Sequence, residues 1–466
     1  MGSHEEGQRR GREVHVVVVP CPTQGHINPL LQFAKHLTHR GLNVTLPTIL
    51  TNSNPTHLAL HTSLTIQHVS LLPYQGTEPE NPLAFWDRRQ ASIRLHLTEL
   101  LTRRESSGDS VDCIVYDSMM PWVLDVAKKF GVLGASFFTQ SSAVNAIYYN
   151  VYKGWLNVPL QEKSVLLEGQ LPVLQPSDLS TFVSESSKYQ AVLSFLTDQF
   201  KNLDVADWIL VNTFDSLEPK EAEWMRRQLP FMSIGPMLPS VYLDGGLPND
   251  RDYGVSLFDE SDMDSTMKWL DTKDKSSVIY VSFGSLTEAK EQQMEEVAWG
   301  LKLSNRCFLW VVRESEIHKL PPSFIDETSE KGLVVNWCPQ LEVLAHDSVG
   351  CFVTHCGWNS TLEALSLGVS LVAMALWSDQ PTNAKYLEDV WKVGKRVRVE
   401  ENGICTRERI AESINEVMEG ENSKEIRRNL NGWRQSAKEA MDQGGSSNTN
   451  INDFVQQLLR KTQLSY

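Results

Sequence analysis

Short runs of aliphatic and β-branched residues alternate with amphipathic stretches along most of this chain. Residues 14–19 form one such run, and the stretch at 28–41 after it carries apolar side chains at helical spacing. This alternation predicts parallel strands joined by crossover helices. We therefore expect an α/β fold with doubly wound sheets. Asn28 as N-cap, Pro29 at the first helical position and Gly41 at the end predict the first helix and leave His26 in the loop before it.

The candidate strands fall into two series. The chain has 466 residues, too many for one compact core. A stretch rich in proline, glycine and aspartate, at 237–255, separates the series as a domain boundary would. We place the first domain at 1–240, the linker at 241–255, the second domain at 256–447 and a C-terminal segment at 448–466. The candidate strands are 14–19, 111–116, 135–138, 208–212, 277–283, 307–312, 333–335, 351–354 and 371–374.

Composition excludes several classes of protein. A net charge of −15 argues against a nucleic-acid partner, which would need a basic face. The seven cysteines are scattered without a CxxC pair, so we expect reduced thiols and no structural zinc site. The first residues lack the apolar core of a secretory signal, and no run is long enough to span a bilayer. We therefore expect a cytoplasmic protein without a membrane anchor.

A glycine turn between a candidate strand and a candidate helix predicts an anion-binding site. Residues 354–361 read Thr-His-Cys-Gly-Trp-Asn-Ser-Thr, and Leu-Glu-Ala-Leu follows. At such a turn the free amides and the dipole of the helix point at the anion.

Residues 337–380, which contain this turn, carry a long motif with fixed spacing. Its matching positions are Trp337, Gln340, the run His-Cys-Gly-Trp-Asn-Ser-Thr-Leu-Glu at 355–363, Trp377, Asp379 and Gln380. The motif resembles the secondary-product glycosyltransferase box, the donor-binding signature of plant family 1 UDP-sugar-dependent glycosyltransferases. Each residue alone is better explained by packing or by a solvated helix face, but agreement at so many offsets reverses that judgement. The resemblance implies the GT-B fold, in which two Rossmann-like domains face each other across a cleft and the last helix returns to the first domain.

The resemblance also implies a role for each position. The groups expected on the diphosphate are His355, Asn359, Ser360 and, after an earlier strand, Ser285. The nucleoside is expected to contact Trp337 by uracil stacking, Gln340 on the ribose side and Glu363 at the ribose hydroxyls. The sugar is expected to contact Trp377, Asp379, Gln380 and Thr139. The donor-binding set is completed by Cys338, Gly357 and Trp358.

UDP-glucose is the implied donor co-substrate, with no metal ion and no cofactor. Gln380 matches the form of the motif that prefers glucose. DxD triplets at Asp250 and Asp262 resemble the divalent-ion motif of another glycosyltransferase class. Both lie in an acidic stretch rather than after an apolar strand, so we interpret them as solvated runs. The helix N-terminus and His355 would replace the cation.

His26 and Asp117 are the candidate catalytic pair. Each comes at the end of a candidate strand, where open α/β sheets bind ligands. The positive end of the following helix is expected to keep the His26 imidazole neutral, as a general base must be. Both residues also match the family's catalytic histidine and its acidic partner, which would hold the tautomer of the imidazole. A surface histidine and a capping aspartate are the alternative explanations.

Other functions need signals that this sequence lacks. An NAD-dependent oxidoreductase would show a GxGxxG turn after a strand, and a hydrolase would show a GxSxG elbow. A non-catalytic sugar-nucleotide-binding protein would keep the motif and lose the catalytic pair. We therefore expect an inverting glucosyltransferase.

The acceptor is less constrained than the donor. Residues 137–145 and 385–396 resemble one branch of plant glucosyltransferases, whose members act on small aromatic acids, thiohydroximates, terpenoids and steroids. An apolar pocket is suggested by Met119, Met120, Tyr148 and Tyr149. We expect a monomer that glucosylates a hydroxyl of a hydrophobic steroid, terpenoid or phenolic, with a glucose ester of a small carboxylic acid as the alternative.

The motif departs from the family pattern at three positions. Ser370 replaces a proline, and Ala375 and Leu376 replace a Pro-Gln pair. Proline fixes φ, so we expect the segment at 371–379 to be less restrained than in the family.

Overall fold

The computed structural model of the chain describes residues 13–49, 63–75, 80–161, 165, 167, 171–258 and 263–464. The N-terminal residues used in the localisation prediction and Asp262 of the second DxD triplet lie outside this part.

The N-terminal half is a parallel sheet with helices on both faces. Its described strands are β1 (His15–Val19), β2 (Asn43–Thr48), β3 (Leu64–His68), β4 (Cys113–Asp117), β5 (Leu133–Phe138), β6 (Trp208–Val211) and β7 (Phe231–Ser233). Its described helices are α1 (Gln24–His39), α2 (Pro82–Ser107), α3 (Trp122–Lys129), α4 (Ser142–Tyr152), α5 (Thr181–Ser184), α6 (Gln190–Asp198) and α7 (Pro219–Gln228). The strand order is β3-β2-β1-β4-β5-β6-β7.

The C-terminal half repeats this arrangement. Its described strands are β8 (Val278–Ser282), β9 (Cys307–Val311), β10 (Gly332–Val335), β11 (Val349–Thr354), β12 (Ser370–Ala373) and β13 (Gly394–Arg396). Its described helices are α8 (Met263–Asp271), α9 (Glu291–Ser304), α10 (Phe324–Thr328), α11 (Gln340–Ala345), α12 (Trp358–Leu367), α13 (Gln380–Lys385), α14 (Arg407–Glu419), α15 (Ser423–Met441) and α16 (Ser446–Leu464). The strand order is β10-β9-β8-β11-β12-β13, again all parallel.

Both sheets reverse their strand order at a central pair, β1 with β4 and β8 with β11. Of these central strands, β1, β4 and β8 are buried along their whole length, as the unbroken valine run of β1 predicted. At such a switch point the connections leave in opposite directions, which opens a crevice beyond the carboxyl ends of the strands. The expectation of an α/β fold with doubly wound sheets is confirmed.

The nine candidate strands are all present, whereas β2, β3, β7 and β13 went unpredicted. β2 contains Pro47 and alternates polar with apolar residues, and β3 is a partly exposed edge strand. β7 and β13 have only three residues each. Edge and very short strands lack the continuous apolar run that marks a buried parallel strand.

Helix α1 begins five residues earlier than predicted, so the prediction that Asn28 is its N-cap is wrong. Thr23 is the N-cap, and the Asn28 side chain instead accepts a hydrogen bond from Gln24 at 2.5 Å. His26 consequently lies in the first turn of the helix rather than in a loop. Pro29 lies inside the helix, where it lacks the N–H that would bond the carbonyl of Gly25. Gly41, with φ of 83°, follows the helix as predicted.

The stretch between the two halves is not the solvated run that we expected around Asp250. Asp250 is buried, and its carboxylate accepts hydrogen bonds from Lys35 at 2.8 Å, from Gln32 at 2.5 Å and from the Ser240 amide at 2.6 Å. Because Lys35 and Gln32 belong to α1, this carboxylate fixes the connecting segment to the N-terminal half. The acidic composition of this stretch carries no signal for the partners in α1, which lie far away along the chain.

The last helix, α16, packs on the N-terminal sheet. The Phe454 ring lies 5.8 Å from Phe33 and 5.0 Å from Trp208, and the Ser447 hydroxyl donates to the Gly235 carbonyl at 2.5 Å. The return of the last helix is thus observed, while the domain boundaries themselves stay a prediction. In the described part of the chain, no helix combines the length and the apolarity that crossing a bilayer requires.

Candidate active site

A cavity of about 1490 Å³ lies between the two halves, at the carboxyl ends of both sheets. It brings together nearly all of the predicted site residues, which are His26, Thr139, Ser285, Trp337, Cys338, Gln340, His355, Gly357, Trp358, Asn359, Ser360, Glu363, Trp377, Asp379 and Gln380. Asp117 is absent from the lining because it lies behind His26. The two switch points therefore face one another across the same cavity.

The catalytic candidates His26 and Asp117 form a hydrogen-bonded pair. Asp117 is the last residue of β4 and is fully buried, and its Oδ2 lies 2.6 Å from Nδ1 of His26. The other carboxylate oxygen accepts the Met119 amide at 3.0 Å, which fixes the orientation of the carboxylate. A proton on Nδ1 is bonded to Asp117, so the neutral ring has an unprotonated Nε2 available as a base.

The electrostatics of His26 differ from the sequence expectation. Burial lowers the pKa of His26, but the Asp117 carboxylate and the more distant Asp379 raise it, and the result lies above the ordinary value. The carboxylates thus shift this pKa in the direction opposite to the one expected from the helix start, and the neutrality of the ring stays a prediction. Thr139, predicted near the sugar, has its hydroxyl 3.2 Å from Nδ1 of His26.

The predicted anion-binding turn is built around the His355 ring. Gly357 is the N-cap of α12, and a Cβ on it would lie 2.5 Å from Nε2 of His355. Gly284, with φ of 75°, approaches the other side, where a Cβ would lie 2.7 Å from the same atom. Both glycines are therefore needed for the imidazole to fit between the turns after β8 and β11.

His355 is an uncharged group at neutral pH. Burial, with a smaller contribution from the nearby Arg313, lowers its pKa to about 4. A neutral imidazole has one N–H, and this ring also bonds the backbone of Ser282, so His355 adds no positive charge beside the turn. Its role on a diphosphate stays a prediction. A positive charge near this turn is that of Arg313, which lies 3.7 Å from the Glu316 carboxylate. Its guanidinium donates to the carbonyl oxygens of Ser285 at 2.6 Å and of Thr287 at 2.5 Å. Sequence analysis missed Arg313 because it belongs to no motif.

Asn359 and Ser360, at the start of α12, already have protein partners. The Asn359 amide donates to the carbonyl of Gly25 at 2.6 Å, across the cavity in α1. That carbonyl is the one that Pro29 leaves without a helical donor. The Ser360 hydroxyl accepts a hydrogen bond from Gln340 at 3.0 Å. Their roles on a diphosphate stay predictions.

The residues expected to bind the nucleoside are covered by the segment that connects the two halves. The ring of Phe258 stacks on Trp337, with centroids 3.9 Å apart and planes 19° apart. The Tyr253 hydroxyl donates to Oε1 of Glu363 at 2.9 Å, and Gln340 donates to Oε2 at 2.5 Å. Burial raises the pKa of Glu363 to about 7. An aromatic ring and a hydroxyl thus occupy the contacts predicted for uracil and ribose.

Three of the residues expected to contact the sugar lie in the loop at 376–380, which we call the sugar loop: Trp377, Asp379 and Gln380. The Gln380 side chain shapes this loop, since its Oε1 accepts the amides of Leu376 at 2.9 Å and Trp377 at 3.0 Å. The Thr287 hydroxyl accepts from the Trp377 indole at 3.2 Å. The buried Asp379 carboxylate accepts from Asn383 at 2.8 Å. Sequence analysis missed Thr287 and Asn383.

Two other members of the predicted donor set are mainly packed inside the protein. The Trp358 indole donates to the Asn212 carbonyl at 2.7 Å and so joins the two halves. The Cys338 sulfur lies 3.5 Å from the hydroxyl of Tyr280. Both residues are buried but reach the wall of the cavity.

One wall of the cavity in the N-terminal half is apolar. Its described apolar lining consists of Trp86, Met119, Phe182, Ala191, Val192, Phe195 and Leu196. Met119 was predicted to line a pocket, and it does. The same prediction for Met120, Tyr148 and Tyr149 is wrong, because these three side chains are buried in the cores. In the described part of the chain, no group of three or more His, Cys, Asp or Glu side chains could hold a metal ion.

Comparisons with known proteins agree with this site. A family model described as UDP-glucoronosyl and UDP-glucosyl transferase matches residues 210–432, and one described as glycosyltransferase, N-terminal domain, matches residues 12–54. UDP-glycosyltransferase 74E2 of Arabidopsis thaliana is 48% identical over 445 residues, which cover 95% of this chain and 98% of that protein. Mogroside I-E synthase of Siraitia grosvenorii is 46% identical over 449 residues, with coverage of 96% and 98%.

Solved structures show the same architecture. Os79 from O. sativa in complex with UDP superimposes with a TM-score of 0.86 at 37% identity, covering 95% of this chain and 100% of that one. A fold of two facing Rossmann-like domains with a UDP-sugar motif at one switch point defines a GT-B glycosyltransferase. The chain belongs to the plant family 1 UDP-glycosyltransferases, enzymes that transfer a sugar from a UDP-sugar to a small plant molecule. The predicted fold and enzyme class are confirmed.

Proposed function

We propose that this enzyme transfers glucose from UDP-glucose, with inversion, to a hydroxyl of a hydrophobic small molecule. The observation that carries the proposal is the His26–Asp117 pair, at 2.6 Å, facing the donor motif across one cavity. A protein that only binds a sugar nucleotide has no need of a buried carboxylate that orients a histidine. The pair therefore favours catalysis over binding alone.

The reaction needs one proton acceptor and one stabilised leaving group. Nε2 of His26 takes the proton of the acceptor hydroxyl while its oxygen forms a bond to the anomeric carbon. The bond from that carbon to the phosphate oxygen breaks, and UDP leaves with the electron pair. Attack opposite the leaving group converts the α-linkage of UDP-glucose into a β-glucoside. Asp117 stabilises the imidazolium that forms, and the N-terminus of α12 faces the departing diphosphate.

The lining of the cavity favours a neutral acceptor over a carboxylate. The apolar wall of the N-terminal half is made of aromatic and aliphatic side chains with Asp87 beside it, and Arg251, an arginine of the cavity lining, belongs to the segment that connects the halves. A carboxylate buried against this apolar wall, near the Asp87 carboxylate, would be desolvated and repelled, which is unfavourable. A steroid, terpenoid or phenolic aglycone with a free hydroxyl fits this chemistry better than a small acid that forms a glucose ester.

Glucose and the absence of a metal requirement are proposed from the donor side. Gln380 matches the glucose-preferring form of the motif. The N-terminus of α12 and the guanidinium of Arg313 supply positive potential beside the His355 turn, which is the task a cation would otherwise perform. Turnover that is lost in EDTA and restored by magnesium or manganese would contradict this part. Equal turnover with UDP-galactose would contradict the choice of glucose.

The decisive test is glucosyl transfer by wild type, His26→Ala and His39→Ala with UDP-glucose and a panel of phenolics, triterpenoids, steroids and matched carboxylic acids. His39 lies on the same helix but is exposed, so its variant controls for the loss of an imidazole. We expect a hydroxyl acceptor to be used best and His26→Ala to lose about a hundredfold or more in rate. UDP binding without turnover of any acceptor would identify a binding protein, and preferred use of acids would identify an ester-forming enzyme.

A further inference from the structure

Asn383, one turn into α13, contacts the sugar loop without lining the cavity. Its side-chain amide donates to Oδ2 of Asp379 at 2.8 Å, and its own backbone amide donates to the Asp379 carbonyl at 3.2 Å. Asn383 is 1% exposed, and it is not among the described residues that line the cavity. It therefore acts on a substrate only through the residues that it holds in place.

The same side chain holds the diphosphate turn and the N-terminal half. Nδ2 of Asn383 also donates to the carbonyl of Cys356 at 3.0 Å, and Cys356 has φ of 67°, a left-handed conformation that is unusual for a residue with a side chain. The hydroxyl of Ser141, the N-cap of α4, donates to Oδ1 of Asn383 at 3.2 Å. One amide thus joins the turn beside His355, the sugar loop and the acceptor-binding half.

Other contacts from the N-terminal half support the sugar loop at neighbouring points. The amide of Thr181 donates to the carbonyl of Ser378, at 2.9 Å, and Ser378 is another left-handed residue with φ of 62°. The Phe182 ring meets Trp377 edge to face, with centroids 5.6 Å apart. A strained backbone conformation persists only where contacts with the surrounding structure hold the loop in place. The conformation of the sugar loop therefore depends on contacts from the acceptor-binding half.

We propose that Asn383 is a positioning residue that fixes the Asp379 carboxylate for the sugar of the donor, and that Ser141 makes this positioning depend on contact between the two halves. The inference rests on the proposed function, because it takes Asp379 as a sugar ligand. A buried carboxylate with one fewer donor can turn away or take up a proton, and either change removes an acceptor for sugar hydroxyls. The UDP part of the donor binds mainly to other groups, and Asn383 holds the diphosphate turn at one carbonyl alone, so UDP binding should change much less than use of UDP-glucose.

The test compares UDP with UDP-glucose in wild type, Asn383→Ala and Ser141→Gly. We expect Asn383→Ala to keep its Kd for UDP within about twofold, while kcat/KM for UDP-glucose falls by about ten- to a hundredfold, the range of a hydrogen bond to a charged group. Ser141→Gly removes the hydroxyl but keeps a residue that is accepted at an N-cap, and it should show a smaller loss of the same kind. Ser447→Ala, which loses a buried hydroxyl bond between α16 and Gly235 away from the cavity, should change neither value.

Two results would overturn the inference. In one, kcat/KM of Asn383→Ala stays within twofold of wild type. In the other, Kd for UDP weakens by the same factor as kcat/KM, which would show that Asn383 supports the whole donor site. If Asn383→Ala fails to fold, Ser141→Gly decides by the same criteria. Failure of the proposed function gives a different result, because wild type would then transfer no glucose. In that case the inference is still tested by binding: the ratio of the affinities for UDP-glucose and UDP is measured in wild type and in each variant.

Discussion

Removing the ring of Phe258 is expected to tighten the binding of UDP. Phe258 stacks on Trp337 at 3.9 Å, and Trp337 also packs against the core, so one indole face remains for a second ring. If uracil stacks on Trp337, it must displace Phe258. A stacked aromatic pair is worth about 0.5–1.5 kcal/mol beyond the area it buries. Because that stack competes with UDP, its loss in Phe258→Ala should lower Kd by about two- to twelvefold.

The same segment offers a second, independent site of competition. Gln24 of α1 holds it by donating to the Val255 carbonyl at 2.9 Å and accepting from the Leu257 amide at 2.7 Å, while Tyr253 bonds Glu363 at 2.9 Å. Tyr253→Phe leaves the ring and removes the hydroxyl that competes with ribose. We expect it to lower Kd for UDP as well, by a smaller factor of about two to five, since a net hydrogen bond contributes about 1 kcal/mol or less here.

Titration calorimetry with UDP measures both effects directly. Val241→Ala is the matched control, because Val241 is an exposed apolar residue near the same segment that does not line the cavity. Weaker binding by Phe258→Ala would refute the reasoning, since it would mean that the Phe258 ring sandwiches the base and assists it. An unchanged Kd would mean that the stack contributes nothing in the free protein.

Three further predictions follow from buried or strained positions. With a hydroxyl acceptor, kcat/KM should rise with pH, with an inflection above the ordinary pKa of histidine, because only the neutral His26 accepts a proton. In Asp117→Asn the inflection should move to lower pH. A pH-independent rate would exclude His26 as the base. Asp250→Asn leaves Lys35 buried without its counter-ion, so it should lower the free energy of unfolding by about 3 kcal/mol, as measured by denaturant titration. A loss below about 1 kcal/mol would contradict that account. Ser370 is the first residue of β12, a position at which a strand accepts proline. Ser370→Pro should therefore stabilise the protein by about 0.4–1 kcal/mol and raise Tm, with little change in UDP affinity. A lower Tm would show that the fold requires the Ser370 amide or a φ that proline cannot adopt.

Strand positions were predictable because buried parallel strands have a distinctive composition. The valine run of β1 and the apolar run of β11 have few alternatives, and their ends set where His26 and His355 lie. Helix starts were less predictable, as α1 shows. An Asn-Pro pair is a typical start signal, yet here Pro29 is tolerated inside the helix because the Gly25 carbonyl finds Asn359 in the other half as its donor. That compensation is tertiary and has no local sequence signal.

The members of the site were predictable, whereas their present hydrogen bonds were not. The motif places Glu363 and Gln380 by spacing alone, but nothing in it indicates that Tyr253, more than a hundred residues away, bonds Glu363. Asn383 lies just past the motif and carried no signal, although it bonds Asp379 directly. Contacts between segments far apart in sequence depend on how the two halves meet, which periodicity and composition do not encode.

The predicted donor groups are already hydrogen-bonded, and this determines how a donor can gain affinity. Asn359 bonds Gly25, Glu363 bonds Tyr253 and Gln340, and Gln380 bonds its own loop. Exchanging one such bond for another contributes little net free energy. The favourable terms must therefore come from groups that lack this exchange, above all the amides at the start of α12 acting on the diphosphate charge. UDP should consequently bind much more tightly than uridine. Binding would also release bonds such as the one from Asn359 to the Gly25 carbonyl, which joins the two halves, so the donor has a means of changing how the halves meet.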